Sequence, residues 1–167
     1  TPPLPTRIPA ELRRMDPERF SPALGALIPV LLRAGIRTHT IGEDRLRRLA
    51  VIVHIVAILT GTSGRRVHSP GVATGRVIHD ANFKELRFMR LMTARGPALM
   101  DQVVRLARFL AAREALPIDL RPLATLVLCE GIDEEKAEQA RLELARFYYA
   151  AEAASENQTP EITTDTD

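Results

Sequence analysis

Catalysis and metal binding need converging nucleophiles, acids, bases or ligands, and this sequence has only four histidines and one cysteine to supply the commonest of them. His39, His54, His68 and His79 are scattered along the chain. None belongs to an HExxH pair, Cys129 has no second cysteine for a Cys-x-x-Cys motif, and no Gly-x-Ser-x-Gly turn is present. His79-Asp80 is the one adjacent histidine-carboxylate pair, and neighbours in a helix or turn point apart. His54 lies inside an apolar run, where a lone histidine reads as a hydrogen-bonded core residue. Cys129 follows Leu126, Val127 and Leu128 and reads as a small buried thiol. The glycine-containing stretch from Gly61 to Gly71 lacks the Gly-Lys-Ser/Thr of a phosphate-binding P-loop. The residues therefore indicate no catalytic group, no metal ligand and no cofactor, and they point away from an enzyme and toward binding.

Arginine is the chemistry this sequence concentrates. The formal net charge is +2, but residues 152–167 hold five acids and no base, which leaves +7 on residues 1–151. Between Arg33 and Arg113, 14 arginines and Lys84 stand against five carboxylates, a local excess of +10. A basic concentration of this kind points to a polyanionic partner. Only two of the 23 basic residues, Lys84 and Lys136, are lysines. Guanidinium offers a planar fork of donors that matches phosphate oxygens and stacks on bases, whereas ammonium is a hydrated point charge.

Helices are the elements that must position these arginines. Apolar residues recur at helical spacing, and no period-two strand pattern competes with them. Asp16-Pro17 and Ser21-Pro22 read as N-caps followed by a first-turn proline, with a helix from about Pro22 to Arg33 ending at Gly35. Glu43 and Asp44 open a second helix that runs to Gly61, and its all-round apolar second half marks it as the central helix of a bundle. Asn82 and Glu85 form a capping-box pattern for a helix to about Arg95, and Gly96-Pro97 breaks and restarts the chain. In the helix that follows, Leu99, Val103, Leu106, Ala107 and Leu110 share one face, so Arg105 and Arg108 project away from it. Another helix follows Asp119, closed by Glu130-Gly131. The last starts near Asp133 with Ala137, Ala140, Leu144, Phe147, Tyr148 and Ala151 as its stripe.

The fold class expected is all-α, as two small helical bundles joined by a Gly/Ser/Arg loop. The divisions are an N-terminal bundle over 1–60, the connecting loop over 61–75, a C-terminal bundle over 76–153 and a disordered acidic tail over 154–167. The longest uncharged run, Leu49 to Gly64, is shorter than the ~20 residues that cross a bilayer. With no membrane segment and a single cysteine, a cytoplasmic setting is expected.

Within this pattern the C-terminal half resembles a known family. Thr74-Gly75-Arg76-Val77-Ile78, Glu85-Leu86-Arg87-Phe88-Met89-Arg90-Leu91-Met92, Val103-Val104-Arg105-Leu106-Ala107-Arg108-Phe109-Leu110, Arg141 and Ala145-Arg146-Phe147-Tyr148-Tyr149 follow one another in order. They resemble the Gly-Arg helix start, Arg-Phe helix, arginine-rich amphipathic helix and closing Ala-Arg-x-Tyr-Tyr of CasB, the small subunit of the type I-E CRISPR surveillance complex Cascade. Ala94-Arg95-Gly96 stands where that family usually has Ala-Asp-Arg, and the tryptophan frequent near its end is missing. The resemblance implies a non-catalytic subunit that binds the guide RNA, the target DNA and the displaced strand without reading sequence, and so stabilises the R-loop. It implies the backbone and large Cascade subunits, and a second copy of the chain, as partners. By that match Arg76, Arg87, Arg105, Arg108, Arg141 and Arg146 are the first choices for nucleic-acid contact, and Arg48, Arg65, Arg66 and Arg90 the second. Two other readings stay open: a stand-alone helical DNA-binding regulator, and a structural scaffold without direct nucleic-acid contact.

Overall fold

In the computed structural model, Pro5 and residues 7–61 and 64–157 are described. They form eight α-helices and, among the described residues, no strand: α1 (Arg7–Arg14), α2 (Leu24–Arg33), α3 (Glu43–Thr60), α4 (Thr74–Asp80), α5 (Glu85–Thr93), α6 (Gly96–Ala112), α7 (Arg121–Cys129) and α8 (Glu134–Glu156). The chain is all-α.

Helix α3 organises the packing because it is apolar on two faces. Leu49, Ala50 and Ala57 turn toward a small core with Ile8 and Leu12 of α1 and Ala26, Leu27 and Leu31 of α2. Val51, Ile55 and Leu59 turn toward a larger core built from α4 to α8, centred on Phe88, Leu99, Leu106, Leu126 and Leu144. A helix apolar all round is stable in water only when both sides are covered, and here each core covers one.

Local chemistry ends the helices where the sequence changes character. The Asp133 carboxylate accepts the Lys136 amide at 3.2 Å and starts α8. The buried Glu130 carboxylate accepts the Gly96 amide at 3.2 Å at the start of α6. Asn82 departs from the expected capping box. Its backbone is left-handed, with φ 66°, and Lys84 stands at the cap of α5 without a side-chain bond. Asp16 likewise starts no helix: it accepts the Glu18 amide at 2.9 Å in a turn. The helix nearest to it, α1, comes earlier and was not expected. Helix α8 runs through Glu156, beyond the expected start of the tail, and residues 158–167 lie outside the described residues.

Cross-links between distant segments fix the arrangement. The loop before α4 is pinned to the segment before α7, with Ile118 donating to the Val67 carbonyl at 2.9 Å and Ser69 to the Ile118 carbonyl at 2.9 Å. Helix α4 crosses α8 so closely that a Cβ on Gly75 would overlap the Leu144 carbonyl and lie 2.8 Å from the Tyr148 nitrogen. Tyr148 stacks on Phe88 and donates to the Phe83 carbonyl at 2.8 Å. His54 Nδ1 donates to the Leu12 carbonyl at 2.7 Å, tying α1 to α3, and Arg13 donates to the Gly61 carbonyl.

Candidate nucleic-acid interface

The apolar face of α6 is buried through Leu99, Val103, Leu106 and Leu110, and this alone turns Arg105 and Arg108, three residues apart, to solvent. The C-terminal end of α1 lies across from them. Arg14, Arg105 and Arg108 line one cleft together with Asp16, Asp101 and Met100. Arg105 stands 4.0 Å from Asp101, both well exposed, a loose pair that solvent screens. A second cleft, along the α3–α6 seam, carries Arg19, Arg47 and Arg48 and shares Pro17, Glu18 and Met100 with the first, so the two form a continuous groove. Arg47 is paired with Glu43 at 2.8 Å there. The groove mixes cations and carboxylates, with Arg14, Arg105 and Arg108 at the α1–α6 end and exposed Arg19 at the other.

Arg14 is a residue that sequence reasoning missed. Its signal was a basic last turn, but α1 is an eight-residue helix in a proline-rich opening that shows too few periodic apolar residues to be recognised. Only its packing on α3 makes it a helix and brings Arg14 beside α6.

The other arginines fall into three groups. Arg87, Arg90 and Arg146 are exposed on α5 and α8 and have no ion pair among the described residues. Arg76 is exposed on α4, 3.5 Å from Asp80, Arg65 pairs with Glu114 at 2.8 Å, and the exposed Arg66 donates to the His68 carbonyl at 3.2 Å. Arg48 and Arg141 are built into the fold. Arg48 donates to the carbonyls of Val127 and Glu130 at 2.8 Å each and to Asp44 at 2.8 Å, clamping α3 to the end of α7. Arg141 is 5% exposed, bonds Glu138 at 2.6 Å, and reaches the Ala94 carbonyl at 3.5 Å. Its position on α8 suggested a surface contact, but the turn between α5 and α6 covers it. Its guanidinium serves the α5–α8 junction.

The titratable groups do not converge. His54 is buried with Nε2 unpartnered, and burial pushes its pKa below the ordinary 6.5. Asp119 is gripped by the Arg121 guanidinium, which holds its carboxyl below the usual carboxylate range. His68 lies 3.7 Å from Asp119, but its Nδ1 accepts the Leu120 amide at 3.1 Å and so does not offer a proton to that carboxylate. Contrary to the expectation that this pair points apart, His79 Nδ1 lies within hydrogen-bond distance of Asp80, at 3.2 Å. Among the described residues no cluster of three or more potential ligands is placed to hold a metal ion, and no helix is long and apolar enough to cross a membrane. Phe147, expected on the buried stripe, is 46% exposed. Cys129 is half-buried.

An all-helical protein whose surface chemistry is exposed arginine is thereby defined. The model of the CRISPR-associated protein Cse2 family matches residues 9–149, and the chain belongs to that family. The crystal structure of CasB from Thermobifida fusca is similar in fold, with a TM-score of 0.53 at 16% identity, covering 86% of this chain and 96% of that one. No curated protein matches the chain. Family membership supports a place as a subunit of the type I-E CRISPR Cascade complex.

Proposed function

We propose that this chain is a non-catalytic Cascade subunit that holds the backbones of guide RNA, target DNA and displaced strand, and so stabilises the R-loop. The observation that carries the reading is the convergence of Arg14, Arg105 and Arg108 from two helices on one exposed cleft. Guanidinium groups at a surface serve phosphate oxygens of any sequence, which suits a subunit that works with every guide. Exchange of a DNA duplex for an RNA–DNA hybrid is nearly balanced in free energy, so a few backbone contacts are enough to tip it. Exposed Arg66 and Arg76 add to the basic surface, and the burial of Arg141 and the internal bonds of Arg48 argue for a role of these two in holding the fold. The partners are nucleic acid, the backbone and large subunits, and a second copy of the chain. A stand-alone regulator reading the major groove is not supported by α6, whose exposed positions after the Gly96-Pro97 turn begin with Ala98 and the acidic Asp101.

Binding of the purified chain to unrelated single- and double-stranded oligonucleotides across a salt series tests this. Wild type binds all of them with similar affinity and a steep salt dependence. Changing Arg14, Arg105 and Arg108 to Ala, singly and together, weakens every sequence alike. Each lost phosphate contact lowers the slope of log K against log salt by about 0.7–0.9. Unchanged affinity in the folded triple variant transfers the chain to the scaffold reading.

A further inference from the structure

Six large apolar side chains are exposed among the described residues, and three of them lie on the neighbouring helices α5 and α8. Leu86 (67% exposed) and Met89 (41%) lie on the outer side of α5, and Leu142 (49%) lies on α8. The two helices run antiparallel: Tyr149 Oη contacts Glu85 and the Met89 sulfur at 3.1 Å each, while at the other end Arg95 pairs with Glu138 at 3.3 Å and Arg141 reaches Ala94. Leu142 is four residues after Glu138 and seven before Tyr149, so it sits on the same strip of α8 as these two. The result is an apolar seam open to solvent.

Its rim is cationic. Arg90 is one turn from Leu86, Arg146 is one turn from Leu142, and Arg87 and Lys84 flank the start of α5. All four are exposed, and none has an ion pair among the described residues. Of the nearby carboxylates, Glu138 is engaged by Arg95 and Arg141 and Glu85 accepts from the Tyr149 hydroxyl, while Glu143 and Glu152 stand on the outer part of α8.

We propose that this α5–α8 face is a docking surface for another protein subunit, one that presents an apolar ridge bordered by carboxylates. Phosphate backbones would use the arginines but leave Leu86, Met89 and Leu142 without a partner, since aliphatic chains give no stacking platform to bases. An acidic, apolar-centred protein surface uses both the seam and its rim, which is the usual anatomy of a protein interface. Membership in a multi-subunit complex supplies the setting. The proposal rests on the subunit role above and not on the nucleic-acid contacts, so Arg87, Arg90 and Arg146 become subunit contacts.

The test uses the full chain and a Cascade complex reconstituted from the remaining subunits and a guide RNA. Two variants are titrated into it: one with Leu86→Ser, Met89→Ser and Leu142→Ser, and one with Arg90→Glu and Arg146→Glu. Both are expected to enter the complex at least about tenfold more weakly than wild type, as loss of a central contact does. Their melting temperatures and the oligonucleotide affinity of the free chain stay at wild-type values. Wild-type incorporation of both variants overturns the proposal. So does a parallel fall in oligonucleotide affinity for the charge-reversed variant, which assigns the face to nucleic acid. The triple variant of Arg14, Arg105 and Arg108 separates the two readings, because it is expected to incorporate normally while binding oligonucleotides weakly.

Discussion

Arg105 and Arg141 both occupy helices whose other faces are apolar, yet they differ in what surrounds them. Arg105 faces solvent with a loose neighbour at 4.0 Å, so its removal costs little stability and takes away a mobile cation. Arg141 is covered by the α5–α6 turn, and its charge is met by Glu138 at 2.6 Å. Removing one partner of a buried, charge-assisted bond leaves a gap and an unmatched group. Because Glu138 itself is exposed, the cost is reduced: Arg141→Ala is expected to lower unfolding free energy by about 2 kcal/mol in urea denaturation. Oligonucleotide affinity of the folded fraction stays unchanged. Arg105→Ala gives the reverse pair of results, with wild-type stability and weaker binding.

Helix α4 is only seven residues long and has no side-chain cap, so it depends on what it packs against. That partner is α8, approached through Gly75, where any side chain would meet backbone atoms of Leu144 and Tyr148. Backbone within a 23-residue helix does not yield locally, so the two helices must separate. Gly75→Ala is therefore expected to cost about 2–3 kcal/mol, seen as a lower urea midpoint at an unchanged m-value. A glycine in this position reads from sequence as a loop or cap residue, and only the crossing shows that the missing Cβ is the requirement. Helix α1 gives the converse case. Its own residues are too few to nucleate a helix, and Ile8 and Leu12 become a recognisable face only against α2 and α3.

Across the whole molecule, α3 carries both cores, and His54 is the polar group buried between α1 and α3. Burial lowers its pKa in the folded protein below the ordinary 6.5, so the unfolded chain takes up the proton more readily. His54 thus contributes stability that is present above about pH 6.5 and is lost as pH falls toward the folded-state value. The melting temperature is expected to drop between pH 7.5 and 5.5, and His54→Gln, which does not titrate, is expected to flatten that part of the drop. A pH profile identical in wild type and variant would remove His54 as the cause.

The sequence by itself determined α2, α3 and α5 to α8 to within a few residues, because apolar spacing, prolines and glycines act locally, whereas α4 begins inside the segment expected as the connecting loop. It also determined the excess of arginine over residues 33–113 and the family to which the chain belongs. The tertiary structure alone decided which arginines are open to a partner. Arg141 and Arg48 are withdrawn by carbonyls 47 and 79 residues away, and Arg14 joins Arg105 and Arg108 only because α1 docks beside α6. It also decided that Leu86, Met89 and Leu142 stay exposed on neighbouring helices. Burial, ion pairing and convergence depend on side chains brought together from distant parts of the chain, and local patterns carry no record of them.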